Sequence, residues 1–340
     1  MTGVLRSAVP GNAWDAIAAD APDSSFCHLS AWREVMTDVL GHEWISYVAL
    51  GPEGTWDGIL PLVRVKSRLF GHYLVSLPFL NRGGPVGSPE AVHALTEAAV
   101  AEAWHSGADL LELRGRTPLG DGVRTTGRKI TVELELPPTP ELLQKGFSSK
   151  LRSQIRRPLK ENCEVRFGPG QVEPFYDVFS RNMRALGTPV LPARFFERIA
   201  ALMPAQVVFG VVYHRDGPVA AGCGFLWRGE FEMTWASSLK AASRYAPNML
   251  LYASFMEHVI ARGGHRFDFG RCTPGSGTHA FKLQWGGIDR PLPWGQWSPG
   301  AVTAPPSPDR PVFQLASAVW RRLPLVVTDH LGPTIARQLP

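Results

Sequence analysis

The sequence predicts an α/β protein made of two tandem units of one design, each a mixed sheet flanked by helices, and three observations carry that prediction. Gly107 to Pro118 (GADLLELRGRTP) aligns without a gap with Gly263 to Pro274 (GGHRFDFGRCTP). The elements ahead of each copy run in the same order, β-β-β-α-β. A chain of 340 residues with 44% hydrophobic content is long enough for two domains that each bury a core.

In the first unit, Trp44 to Leu50 reads as a strand, GPEG at 51–54 as a turn, and Trp56 to Val65 and Leu69 to Leu77 as two further strands. Pro89 to Ser106 is helical, and Leu110 to Leu113 returns as a strand. In the second, Val207 to Tyr213, the RDGP turn at 215–218, Val219 to Trp227 and Phe231 to Ala236 give three strands. Pro247 then opens a helix whose apolar stripe of Leu250, Leu251, Phe255, Val259 and Ile260 runs to the glycine pair 263–264. Phe267 and Phe269 alternate with Asp268, which gives the closing strand two faces. The junction falls in 136–148 (LPPTPELLQKGFS), after strand-like Ile130 to Leu134, so the expected division is 1–137, 138–299, and a tail 300–340. That tail holds a proline-rich linker, Gly300 to Pro311, and a helix from Val312 to Leu323 that ends at Pro324.

Composition narrows the class. The four cysteines stand singly, with no CxxC pair and no secretory leader, so neither a zinc site nor a disulfide framework is implied and a reducing cytoplasm is expected. No apolar run reaches the ~18–20 residues of a membrane span. The net charge of +5 permits an anionic partner without selecting one.

Chemistry concentrates in Arg266 to Gly287, where a short strand empties into a Gly/Ser/Thr loop ahead of Lys282, set between Phe281, Leu283 and Trp285. An ammonium in such surroundings would stabilise a developing oxyanion more strongly than in water; its bland alternative is a surface lysine snorkelling over aromatic rings. Asp268 would take a proton from an incoming amine, or hold the amides of the following loop. Ser276 and Thr278 would bind substrate hydroxyls or phosphate, or simply make the turn. Arg152 and Arg156, four apart in a basic helix, suit a diphosphate or RNA backbone, although charge runs are usually solvated faces. In the first unit Asn81 and Arg82 follow the third strand, with Arg114 and Arg116 after the fourth. In a cleft shared by the halves they would contact the acceptor, Arg82 its phosphate; the plain reading is a turn with surface arginines. Cys272 has His279 seven residues on but no recognisable base and orienting partner for a thiol mechanism.

Several segments together resemble the FemAB/FemX family of aminoacyltransferases, above all its exosortase- and exopolysaccharide-associated branch, over roughly residues 24–290. They are FCHLSAWREVM at 26–36, KLRSQIRRPLKENCEVRF at 150–167, NMRALGTPVLPARFF at 182–196, WASS at 235–238, RYAPNMLLYASF at 244–255, and the Lys282 segment. The resemblance implies two tandem GNAT-like (acyl-CoA N-acyltransferase) domains and a functional role for Lys282; Trp235, Ser237, Asn248, Phe281 and Trp285, within the segments quoted, are further expected substrate contacts. It implies transfer of an aminoacyl group from a tRNA to an amine of a peptidoglycan or exopolysaccharide precursor, with no permanently bound cofactor and no metal. BioF2-like relatives imply an acyl-CoA donor and an amino sugar or small amine acceptor instead. A degenerate GNAT scaffold that binds without catalysis is the non-enzymatic reading.

Three features depart from the larger Fem proteins and from ordinary GNAT enzymes. There is no long coiled-coil insertion, Pro158 interrupts the basic helix, and Ala246, Pro247 and Asn248 stand where a pyrophosphate loop carries glycines. The expected location is the cytoplasm; the C-terminal helix with Trp320, Arg321 and Arg322 either packs back on its own domain, the commoner arrangement, or sits at the inner membrane face, which a lipid-linked acceptor would suit.

Overall fold

Two sheets carry the chain, each assembled from one run of the repeated element order. The structure is a computed structural model that describes residues 3–6, 10–67, 70–127, 129–215, 217–300 and 311–339. It divides into a first unit, Met1–Lys129 with Pro291–Phe313 and Thr334–Pro340, and a second, Ile130–Arg290 with Gln314–Pro333.

The first unit contains β1 (Gly3–Arg6), α1 (Gly11–Asp20), α2 (Ala31–Glu34), β2 (Glu43–Leu50), β3 (Trp56–Ser67), β4 (Gly71–Val75), β5 (Val86–Gly87), α3 (Pro89–His105), β6 (Leu110–Leu113) and β7 (Arg124–Thr126). The sheet runs β1-β2-β3-β4-β6, then the late strand Trp294–Trp297, then β7, with β5 on β3. Ser88 starts α3 by accepting a hydrogen bond from Ala91 N at 3.1 Å, and Pro89 supplies the pre-set first turn. Leu95 and Ala99 of α3 pack on Ile45, Leu60 and Leu74 of the sheet. Leu69, expected in the third strand, lies outside the described residues, as do Asp216 of the RDGP turn and residues 301–310 of the expected linker.

Where β4 and β6 cease to pair, the chain fills the gap itself. Their parallel register ends at Val75 and Glu112, and the following loop is buried through Leu77, Leu80, Asn81 and Arg82. Arg114 holds that loop: its guanidinium donates to Leu77 O at 3.0 Å and Leu80 O at 2.7 Å, pairs with Glu112 at 2.7 Å, and stacks over Trp294. The expectation that Arg114 reaches an acceptor is therefore corrected. It is a buried strut, because a guanidinium has enough donors to satisfy loop carbonyls and a carboxylate together.

His28 is a second buried support of this unit. Its Nε2 meets Gly84 O at 2.9 Å and its Nδ1 accepts from Ser25 N at 3.0 Å, an arrangement that suits the neutral ring. Burial holds its pKa down, to about 4 from 6.5. The unfolded chain therefore binds a proton below pH 6.5 that the folded chain refuses, and stability falls as pH drops from 6.5 toward 4, by about 3 kcal/mol in all. Melting curves between neutral pH and pH 4 should show this loss, and His28→Gln should flatten it.

The second unit contains β8 (Ile130–Glu135), α4 (Pro140–Gly146), α5 (Ser149–Lys160), β9 (Cys163–Phe167), α6 (Val172–Leu186), α7 (Ala193–Leu202), β10 (Val207–His214), β11 (Gly217–Trp227), β12 (Glu230–Ser238), α8 (Pro247–Ala261), β13 (Arg266–Cys272), α9 (Gly277–Leu283) and β14 (Ile288–Pro291). Two further helices, α10 (Pro311–Trp320) and α11 (Leu325–Ala336), follow. The sheet order is β14-β8-β13-β12-β11-β10-β9. β8 pairs antiparallel with β13, Phe267 opposite Leu134, so this unit begins at Ile130 rather than at 138. The physical reason is burial: Val132 and Leu136 join the core of Phe231, Phe255, Phe267 and Phe269.

That core lies under α4, α5 and α8. Leu151, Ile155 and Pro158 turn inward from α5. The expectation that Pro158 interrupts the helix is corrected, since α5 continues to Lys160. Pro158 sits in the last turn, where only one intrahelical N–H is lost. Another layer is aromatic: Phe175 and Phe179 of α6 and Phe195 and Phe196 of α7 meet one another and Trp235.

Candidate active site

The parallel pairing of β12 with β13 covers only Glu230–Arg266, Phe231–Phe267 and Glu232–Asp268, and beyond that pair the register ends. Phe231, Met233, Phe267 and Phe269 belong to the main core. By strand alternation Glu232 and Asp268 point to the other face, side by side where the strands part. Both are 4% exposed.

At this point β13 is bent. Gly270 has φ 72°, a left-handed conformation that glycine adopts at little cost, and the register against β8 shifts between Asp268 and Arg271. Asp268 Oδ1 accepts from Gly270 N at 2.7 Å and meets the Thr131 hydroxyl, which also lies 2.9 Å from Gly270 O. The structure thus gives Asp268 the loop-holding task that the sequence allowed.

Lys282 completes the group. The TPGS loop is shorter than expected: Ser276 caps α9 by accepting from His279 N at 3.2 Å, and the helix begins at Gly277. Lys282 projects from α9 with 3% exposure, which removes the snorkelling alternative. Its Nζ donates to Gly270 O and, at 3.0 Å, to Arg271 O. An ammonium has three donors, so these two carbonyls leave one over. Burial lowers its pKa from 10.5, against the raising influence of Cys272, Asp268 and Glu232. Desolvation thus outweighs these partners, and the ammonium form is less favoured than in an ordinary lysine.

A pocket of about 440 Å³ opens on another face of α9. Gly277, Ala280, Phe281 and Gln284 line it along one helical stripe, with Asn248 at the start of α8 and Arg157 of α5 opposite. Ala246, before α8, has φ 54° and ψ 46°. It thus takes the left-handed geometry that a glycine would supply, at a cost of about 1–2 kcal/mol.

The other expected residues fall as follows. Arg152 is spent on the end of α4, donating to Phe147 O at 2.5 Å, and Arg156 is exposed; neither lines the pocket, whereas Arg157 does. This corrects the expected Arg152–Arg156 pair, because Arg152 reaches back to the α4 carbonyls. Trp235 is half-buried among phenylalanines, and Ser237 accepts from Asn182 Nδ2 at 3.1 Å on the α6 side. Thr278 is exposed. Phe281 and Trp285 pack with Tyr252, Trp285 wholly buried. In the first unit Asn81 O accepts from Trp294 Nε1 at 3.1 Å, and Arg82 borders a space of only about 20 Å³ with His28 and Arg116. His279 bonds Asp289 at 2.9 Å and Gly275 N at 3.0 Å, apart from any thiol role, and Cys272 is buried. Glu232 was missed, since its importance depends on the β12–β13 register; the sole signal was a carboxylate alternating with buried Phe231 and Met233.

Residues 146–283, from the end of α4 through α9, match the family described as an acetyltransferase (GNAT) domain. In fold the chain is similar to FemX, with 13% identity and a TM-score of 0.65 over 92% of this chain and 100% of that one. It is similar also to L-PGS from Bacillus licheniformis, at 13% identity and a TM-score of 0.57 over 92% and 98%. A tandem GNAT protein from the clavulanic acid biosynthesis pathway gives 11% identity and a TM-score of 0.54 over 89% and 100%. No curated protein matches the chain by sequence. The fold and the matched domain define an acyltransferase built from two tandem GNAT-like units. Within that class it resembles FemX.

Proposed function

We propose that this acyltransferase forms an amide, moving an aminoacyl or acyl group from an activated ester or thioester to an amine of a cell-envelope precursor. The observation that carries the reading is the buried Lys282 ammonium beside Glu232 and Asp268 where β12 and β13 part. The amine nitrogen attacks the donor carbonyl, the new C–N bond forms, and the oxygen gains negative charge that the third Lys282 donor meets. Glu232 then receives the amine's proton. The C–O or C–S bond then breaks, and the leaving group takes up a proton. Likeness in fold to FemX and L-PGS supports an aminoacyl donor and an envelope acceptor.

The second reading is an acyl-CoA donor, and the left-handed Ala246 favours it, because the turn before α8 retains the shape that brings helix-start amides toward a diphosphate. Either donor is anionic, and Arg157 is the cation in the pocket wall. Melting the protein with CoA thioesters and with aminoacyl-tRNA should show which one stabilises it, since only a bound donor raises Tm. Arg157→Glu should raise the donor KM about tenfold or more while kcat holds. An unchanged KM would remove the pocket from donor binding, and no transfer with any donor would favour a non-catalytic scaffold.

A further inference from the structure

Helix α10 presents aliphatic side chains to solvent. Its small polar Ser317 faces the protein: a Cβ placed on Gly187, the φ 76° residue that ends α6, would lie 2.7 Å from Ser317 O and 2.8 Å from its Cβ. Arg184 Nε, from the same end of α6, donates to Leu323 O at 2.5 Å and fixes the segment that follows. Leu315 and Val319 stand two residues either side of Ser317, about 200° away around the helix, and are 69% and 54% exposed. Val326, at the start of α11, is 80% exposed. A solvated helix buries its large apolar residues; this one turns Trp320 partly inward and seats Ser317 on a glycine, yet presents leucine and valine.

Charge identifies what covers that face. Arg322 follows the apolar residues and is exposed, whereas Arg321, also exposed, packs its Nε on the Ser317 side, toward Gly187; no acidic residue occurs from Gln314 to Thr328. Exposed aliphatic side chains beside an exposed arginine, on a helix lying along the surface, complement a bilayer whose headgroups are anionic. Among the described residues no helix is long and apolar enough to cross a membrane, so the contact is interfacial. We propose that Leu315, Val319 and Val326 insert into the interface of an anionic lipid bilayer and that Arg322 binds its headgroups. The proposal stands apart from the identity of donor and acceptor.

Co-sedimentation of the full chain with phosphatidylcholine vesicles, with and without phosphatidylglycerol, tests it. Binding should require the anionic lipid and weaken with salt. Arg322→Gln should weaken it about fivefold, the contribution of one arginine near such a surface. Leu315→Ser with Val319→Ser should weaken it by at least as much, with Tm unchanged because both residues are exposed. No binding to the anionic vesicles, wild-type binding by both the Arg322→Gln and the Leu315→Ser/Val319→Ser variants, or a wild-type dimer in light scattering that Leu315→Ser/Val319→Ser dissolves would overturn it; the last outcome would make the face a contact between copies.

Discussion

Lys282→Met is expected to lower kcat about a hundredfold to a thousandfold while the protein stays folded. That is the scale on which a single donor to a developing oxyanion acts. Methionine keeps most of the volume, so the core around Trp285 is not opened, and two carbonyls lose one donor. The loss to stability is about 1–3 kcal/mol, partly offset because an ammonium no longer has to be desolvated. A role confined to holding Gly270 and Arg271 would give the same modest destabilisation with little change in kcat at a temperature where both proteins are folded. The pH profile adds a sign. An oxyanion donor must be protonated, and burial lowers the Lys282 pKa, so activity should fall on the alkaline side earlier than an ordinary lysine would dictate. Activity that instead rises through that range would make Lys282 a base and sink the oxyanion role.

The strand order was legible because it is written locally. Phe267, Asp268 and Phe269 alternate, Leu110 to Leu113 is a short apolar run, and Pro89 and Pro247 mark helix starts. Lys282 was legible by its aromatic neighbours, but not the helix beneath it: TPGSGTH has the composition of a loop, and only the cap from Ser276 to His279 reveals where α9 begins. What stayed hidden was non-local. β8 changes sheets because of its pairing with β13, Glu232 matters because of its register with Asp268, and Arg152 turns to carbonyls of the preceding helix. None of these partners can be read from the residues on either side. Such pairings are decided by tertiary packing, which overrides local pattern.

Arg114 is the clearest case, and it yields the largest expected effect on stability. Arg114→Met should cost the first unit about 3–5 kcal/mol, the usual penalty for removing one partner of a buried ion pair, and lower its melting temperature by roughly 10 °C. Glu112 would keep only the Gln296 Nε2 bond at 2.8 Å, and Leu77 O and Leu80 O would lose their donor. The double variant Arg114→Met/Glu112→Met should recover much of the loss, because it leaves no uncompensated carboxylate. A single variant as stable as wild type would show that the strut is dispensable. The experiment also bears on where the chemistry lies. In the first unit the gap beyond Val75 and Glu112 is occupied by the loop Arg114 holds; in the second, the corresponding departure of β12 from β13 is bordered by Glu232, Asp268 and Lys282. If the first copy is a structural echo, Arg114→Met should leave kcat unchanged at temperatures where the chain remains folded, and a fall in kcat there would return the first copy to the reaction.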